Sequence, residues 1–200
     1  AKFPEIHVKF YLNGKDLPKM QATLDAATEW VKDRVGKYVI STQGEAMPRV
    51  VGGLLTERAA TLAVAESCTG GRIASECTSL PGSSGWFLEG AVTYSNAAKS
   101  RQLGIDPALI ASNGAVSTPV SYAMARGIRE VSGATYGLST TGIAGPTGGT
   151  DDKPVGTVHI ALATPSDDMH RKLHLGGSRE RIQDLSAAAA LDLLRRHLTL

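Results

Sequence analysis

The chain has 200 residues, 42% of them hydrophobic and 20% charged, with a net charge of +2. That is apolar chain enough for one good core and a small appendage. The composition excludes wholesale disorder, the balanced charge argues against a dedicated nucleic-acid binder, and no apolar run reaches the roughly 18–20 residues of a membrane span. In chain order, residues 5–12 alternate, with Ile6, Val8, Phe10 and Leu12 on one side and His7, Lys9 and Tyr11 on the other, which predicts a half-buried strand. Asn13-Gly14 ends it. Leu17, Met20, Leu24, Ala27 and Val31 then predict an amphipathic helix over 17–35 with Gly36 as its C-cap. Tyr38-Val39-Ile40 reads as a second strand. Residues 1–45 thus read as one strand–helix–strand unit, too short to bury a core of its own. The opening Ala1-Lys2-Phe3-Pro4, with no Met, suggests a fragment of something longer.

Residues 46–200 read as a second domain of alternating helices and strands. Helices are expected over 50–59 and 70–79, from a Thr118 N-cap with Pro119 to Gly133, and from a Ser178 N-cap to the end, with Ile182, Leu185, Ala189 and Leu193 inward. Strands are expected over 61–65, 91–94, 136–141 and 155–163. Together these predict an α/β protein: a three-layer α/β/α sandwich with a mixed, mostly parallel sheet, plus a small N-terminal α+β fragment. Ligands in such folds sit at the carboxyl ends of strands.

Three polar segments stand at such ends. Glu66-Ser67-Cys68-Thr69-Gly70-Gly71 links a buried strand to a helix start, where unpaired amides and the positive dipole end suit an anion or an oxyanion. Ser67 is the candidate nucleophile there, with oxyanion donors expected at 69–71. A merely well-capped turn would use the same residue types. Tyr94 and Lys99 follow the next strand. A lysine in a partly dry cleft can lose its proton and act as a base, whereas a solvated one cannot. Their spacing misses the Tyr-x-x-x-Lys of short-chain dehydrogenases by one residue, and no dinucleotide fingerprint precedes them. Thr140-Thr141-Gly142-Ile143-Ala144-Gly145-Pro146-Thr147-Gly148-Gly149 forms a Gly-rich loop after a strand that suits a phosphate or a flat ring, where a flexible connector would use the same residues. The five histidines show no metal spacing, and His159 reads as a core residue. Arg179 and Arg181 could hold a phosphate or simply face solvent.

These segments, with Pro81-Gly82-Ser83-Ser84-Gly85-Trp86-Phe87, Gly114-Ala115-Val116-Ser117 and Lys153-Pro154-Val155-Gly156-Thr157-Val158, resemble in order and spacing the C-terminal domain of the CinA (competence/damage-inducible) family, over roughly residues 48–200. The resemblance implies an amidohydrolase that converts nicotinamide mononucleotide to nicotinate mononucleotide and ammonia. It implies Ser67 as nucleophile with Tyr94 and Lys99 as catalytic partners. Glu66, Thr69, Gly70, Gly71, Thr141, Gly142, Gly145 and Arg179 are the expected substrate-binding residues, with no cofactor and no metal. Residues 1–45 resemble the second half of a KH-type domain, and relatives carry a molybdopterin-binding-like domain upstream. One departure stands out: relatives usually show Gly-Asp-Arg and a second Arg four residues on, where this chain has Gly177-Ser178-Arg179 and Gln183. Arg181 is a possible substitute. The departure leaves open a second reading, a catalytically weak or inactive nucleotide-binding or scaffold module. Nucleic-acid binding through residues 1–45 is not expected, because they lack a Gly-x-x-Gly loop and a basic stripe. The expected protein is cytoplasmic, with two cysteines, no signal-peptide pattern and no membrane partner. It is expected to form a homodimer or higher homo-oligomer that covers the small unit's exposed sheet edge.

Overall fold

A computed structural model describes residues 3–199. After an extended stretch come α1 (Leu17–Val35), a 3₁₀ turn (Gly36–Tyr38), α2 (Met47–Glu57), β1 (Leu62–Glu66), α3 (Arg72–Thr78), a second 3₁₀ turn (Ser83–Gly85), β2 (Phe87–Val92), α4 (Asn96–Leu103), α5 (Pro107–Asn113), α6 (Thr118–Ser132), β3 (Tyr136–Gly142), β4 (Thr157–Ala163), β5 (Met169–His174) and α7 (Arg179–Leu198). The strands form one sheet in the order β2-β1-β3-β4-β5. β1 pairs in parallel with both β2 and β3; β4 is antiparallel to β3 and β5 to β4, so four of the five strands point the same way.

The three layers follow from alternation along fully buried strands. Leu62 and Val64 of β1 face a core shared with Leu55 of α2, Ile73 of α3 and Leu191 of α7. Ala63 and Ala65 point the other way, toward Leu103 of α4, Ile110 of α5 and Val120, Met124 and Ile128 of α6. Small residues on that second face let α6 lie close to the sheet. At Gly137 of β3 a Cβ would stand 2.1 Å from the Ala125 carbonyl oxygen, so no larger residue fits. The register sets Glu66 beside Val92 and Thr140, which brings the carboxyl ends of β1, β2 and β3 to one rim. No helix among the described residues is long and apolar enough to cross a membrane.

Several expectations need correction. Residues 5–12 form no strand: they are extended but unpaired, and Ile6 is 89% exposed. A strand needs a ladder partner as well as an alternating pattern. Residues 38–40 form no strand either, and Gly36, in the right-handed helical region, carries α1 on into the 3₁₀ turn instead of stopping it. Described residues 3–45 therefore hold one α-helix, a 3₁₀ turn and no strand. Met20, Leu24, Ala27 and Val31 are half-buried and Leu17 is exposed. The second strand of the sheet is 87–92 and not 91–94, because Gly90 is tolerated inside it as a close-approach residue: a Cβ there would stand 2.8 Å from Ala74 of α3. β4 starts at Thr157, and the α6 N-cap is Ser117, whose hydroxyl accepts the Val120 amide. α4, α5 and the polar edge strand β5 were not anticipated as elements. In α7, Ser178 caps as expected, Ile182 and Leu193 are buried, and Leu185 and Ala189 are half-buried.

Candidate active site

The site is built on the rim where β1, β2 and β3 end. Ser67 is the first residue past β1. Its amide donates to the Thr140 carbonyl at 3.0 Å, which continues the β1–β3 ladder by one rung, and its side chain is nearly buried. The turn then reverses through Gly70 and Gly71, at φ +63° and +97°, a region other residues rarely enter. From the neighbouring chain crossing, Ser95 caps α4 by accepting the Ala98 amide, and this places Lys99 in the first turns of α4 with its side chain inward.

Lys99 is 1% exposed. Its Nζ donates to Ser67 Oγ at 3.0 Å and to the Thr93 carbonyl at 2.8 Å. A lysine this deeply buried is ordinarily paired with a carboxylate; here its partners are a hydroxyl and a carbonyl. Burial, which disfavours the ammonium form, is the main cause that holds its pKa below the usual 10.5. Ser67 and Lys99 thus form a close pair in which the amine is biased toward neutrality.

The pair opens onto a cleft of about 370 Å³. Tyr94, Thr141, Gly142, Gly145 and Arg179 line it together with Ser67 and Lys99. Arg179, in the first turn of α7, donates from Nη1 to the Gly145 carbonyl at 2.8 Å and from Nη2 to the Tyr94 hydroxyl at 2.9 Å. It bridges the Gly-rich loop and the segment after β2, two opposite sides of the opening. The Tyr94 hydroxyl, accepting from a guanidinium, keeps its own proton free to donate. Thr141 Oγ1 donates to the Ala115 carbonyl at 2.9 Å and so joins the Gly-rich loop to the loop before α6.

Four expected binding residues lie elsewhere. Glu66 is fully buried, and its carboxylate accepts the amides of Gly71, Ile73 and Ala74. Thr69 is also fully buried, its hydroxyl 2.7 Å from that of Thr140. Neither side chain lines the cleft, and neither do Gly70 and Gly71. The oxyanion donors expected at 69–71 need the same correction. The Gly71 amide is taken by Glu66 and the Gly70 amide by the Ser67 carbonyl. Among the described residues the amides of Cys68 and Thr69 have no oxygen acceptor, so they are the donors this turn has left. Arg181 stacks over the Phe3 ring and is not part of the cleft. Gln183 donates to the Cys68 carbonyl at 2.7 Å and braces the turn from α7.

Cys68 is buried, and burial pushes its thiol up to about 12, so it supplies no thiolate. His159 is a buried core residue as expected, but it has a partner the sequence did not suggest: its Nδ1 lies 3.0 Å from Nε2 of His170 on β5. Thr93 and Thr140 lie within the polar segments at the strand ends, but their roles could not be read from the sequence. Their roles run through a backbone carbonyl and a buried hydroxyl, which leave no residue-type signature.

A profile of the CinA C-terminal domain matches residues 44–198. Among curated relatives, a CinA-like protein of Geobacter metallireducens is 46% identical over 198 residues, covering 99% of this chain and 48% of its own length. One of Desulfosudis oleivorans is 48% identical over 199 residues, again 48% of its length. The chain spans about half the length of the curated relatives it matches. Among solved structures, competence/damage inducible protein CihA from Agrobacterium tumefaciens superposes with a TM-score of 0.74 at 36% identity, over 77% of this chain and 94% of its own. A CinA superfamily protein from Escherichia coli gives 0.71 at 28% identity, over 81% and 98%. With its order of motifs, its sheet and a profile match over most of its length, the chain belongs to the CinA family, and residues 44–198 are its CinA C-terminal domain.

Proposed function

We propose that this chain hydrolyses the carboxamide of nicotinamide mononucleotide to nicotinate mononucleotide and ammonia, with Ser67 as nucleophile. The observation that carries the reading is the buried Lys99 amine 3.0 Å from Ser67 Oγ. A neutral amine has one lone pair and two protons. One N–H donates to the Thr93 carbonyl, which can only accept, and this leaves the lone pair for the serine hydroxyl. Lys99 then takes the hydroxyl proton as Ser67 Oγ bonds to the amide carbon. The oxyanion forms against the amide of Cys68, the turn residue after Ser67 that lines the cleft. Lys99 returns its proton to the departing nitrogen, the carbon–nitrogen bond breaks and ammonia leaves. Water repeats the sequence on the acyl-enzyme: its proton goes to Lys99, its oxygen bonds to the acyl carbon, and Ser67 recovers its proton as the acid departs. Tyr94 is a further donor at the cleft wall, held by Arg179.

The choice of substrate is supported by the resemblance of the motifs to CinA C-terminal domains and by a cleft of about 370 Å³, sized for a small ligand. The test is ammonia release from the mononucleotide and from free nicotinamide, with wild type and Ser67→Ala side by side. Wild type is expected to release ammonia from the mononucleotide. The variant is expected to release none while keeping its circular dichroism spectrum. Undiminished release by Ser67→Ala refutes the nucleophile, and wild-type binding without release makes the chain a nucleotide-binding module.

A further inference from the structure

We propose that Glu66 is a positioning residue that fixes the orientation of Ser67, an inference that rests on the reading of Ser67 as nucleophile. Glu66 is the last residue of β1, and its carboxylate is fully buried. Oε2 accepts the amides of Gly71 at 3.0 Å and Ile73 at 3.2 Å, and Oε1 accepts that of Ala74 at 2.8 Å. These are the orphan amides of the first turn of α3, which an N-cap side chain ordinarily satisfies. The N-cap of α3 is Gly71, which has no side chain to offer. The cap is supplied instead from the strand, by the residue directly before the nucleophile.

The consequence falls on the arc between them. The backbone of Glu66 is locked in the sheet, its carbonyl accepting the Thr93 amide at 2.8 Å. Its side chain holds Gly71, the far end of the arc. Residues 67–70 are therefore closed into a ring by one residue gripping both ends. Burying a carboxylate to do this is expensive, but at φ +97° position 71 would strain any ordinary capping side chain, so the cap has to come from elsewhere. What the carboxylate adds is a fixed distance from the sheet to the helix start across the segment that carries Ser67. A fixed arc holds Oγ at Lys99 and keeps the Cys68 amide at the cleft.

Glu66→Gln tests this in the full chain. The glutamine fills the same space, but its NH₂ group meets one of the amides that the carboxylate accepted, donor against donor. The probe is a fluorophosphonate: Ser67 Oγ bonds to phosphorus, fluoride leaves, and the hydroxyl proton passes to Lys99. The variant is expected to label about 10–100-fold more slowly than wild type, the scale of loss that small misplacement of a reacting group produces. In ammonia release, kcat is expected to fall by a similar factor while KM stays within about twofold. A cap that merely stabilises α3 would lower the melting temperature and leave the labelling rate alone. A folded Glu66→Gln that labels as fast as wild type therefore overturns the positioning role, and only that. A wild type that labels but releases no ammonia counts against the substrate and leaves the positioning role standing. If Glu66→Gln does not fold, amide hydrogen exchange on the wild type decides: Gly71, Ile73 and Ala74 are expected to be as protected as the core of β1, and loop-like exchange at these three overturns the proposal.

Discussion

The rim of the sheet and the N-terminal segment break the same burial rule in opposite directions. At the rim, Lys99 and Glu66, two residue types that belong in water, are buried. In residues 3–45, Ile6, Val8, Tyr11, Leu17, Trp30 and Tyr38, which belong inside, are exposed. The two violations differ in what compensates them. Lys99 is given two oxygen acceptors and Glu66 three amides. The exposed apolar residues are given no sheet and no core, and α1 contains no buried residue. A buried polar group that is fully satisfied points to chemistry, whereas an unsatisfied sequence pattern only shows that local periodicity was not enough to make structure.

Removing the lysine sharpens this contrast most. Lys99→Met fills a similar volume without the amine. Its kcat for ammonia release is expected to fall on the order of 100-fold or more, the typical contribution of a general base. The wild-type rate should rise with pH through a limb whose midpoint lies below 10.5, since the neutral amine is the active form and burial lowers its pKa. The variant should lack that limb. The buried lysine also costs stability at neutral pH. Because the folded pKa lies below the unfolded one, the unfolded chain holds the extra proton between the two. The penalty is complete below the folded pKa and is relieved as pH rises toward 10.5. Lys99→Met is thus expected to be more stable than wild type near neutrality by about 0.5–2 kcal/mol, read from urea unfolding, as befits a site residue kept at the expense of stability. A loss of activity below about fivefold would demote Lys99 to a bystander.

The same contrast explains which parts of the fold could be read from the sequence. β1 and β4 are buried on both faces, so an apolar run and a strand coincide there. β5 carries His170, Arg171, Lys172 and His174; it is an edge strand, where charge is an advantage and the apolar signal is absent. Residues 5–12 carry the strand signal without a partner strand. In the site, Ser67, Tyr94 and Lys99 were visible because hydroxyl, phenol and amine are chemically conspicuous at strand ends. Glu66 was visible for the same reason, yet its role was misjudged. Nothing in a sequence says that a carboxylate will fold forward onto the helix that follows instead of facing the cleft. The Thr93 carbonyl, a backbone atom, could not be read at all.

A second buried polar group extends the comparison to pH. His159 on β4 faces Thr118 of α6 and His170 of β5, with Lys172, Lys153 and His174 nearby. Burial, helped by the neighbouring His170 and lysines, lowers its pKa from 6.5 to about 4. The unfolded chain therefore takes up a proton between pH 6.5 and about 4 that the folded chain refuses, and stability falls as pH drops through that window. At about 1.4 kcal/mol per pH unit the loss approaches about 2–3 kcal/mol by pH 4. Comparing wild type with His159→Gln by urea unfolding at pH 7 and pH 4 isolates this contribution from the carboxylates, which titrate in both. The difference between the two proteins should shift against the wild type by that amount as pH falls, and a difference that stays constant would show that His159 is charged in the folded state.

The smallest effect is expected in the N-terminal segment. Ile6 and Val8 lie on the side of residues 5–12 that alternation assigns to a core, yet they are 89% and 63% exposed. Burial is what makes an apolar side chain stabilising; at a solvated position the transfer contribution is already absent. Ile6→Thr and Val8→Thr keep the β-branch, so the backbone preference of the extended stretch is unchanged. Each should alter the unfolding free energy by no more than about 0.5 kcal/mol, the range of a surface substitution. The urea midpoint is measured at several protein concentrations, because an apolar row with open backbone groups is also a template for another chain. Unchanged midpoints at every concentration leave the two regions as energetically separate as their burial makes them. A loss above about 1 kcal/mol at high protein concentration alone would show that these side chains are covered by a second molecule, since burial on the chain's own surface would cost the same at any concentration.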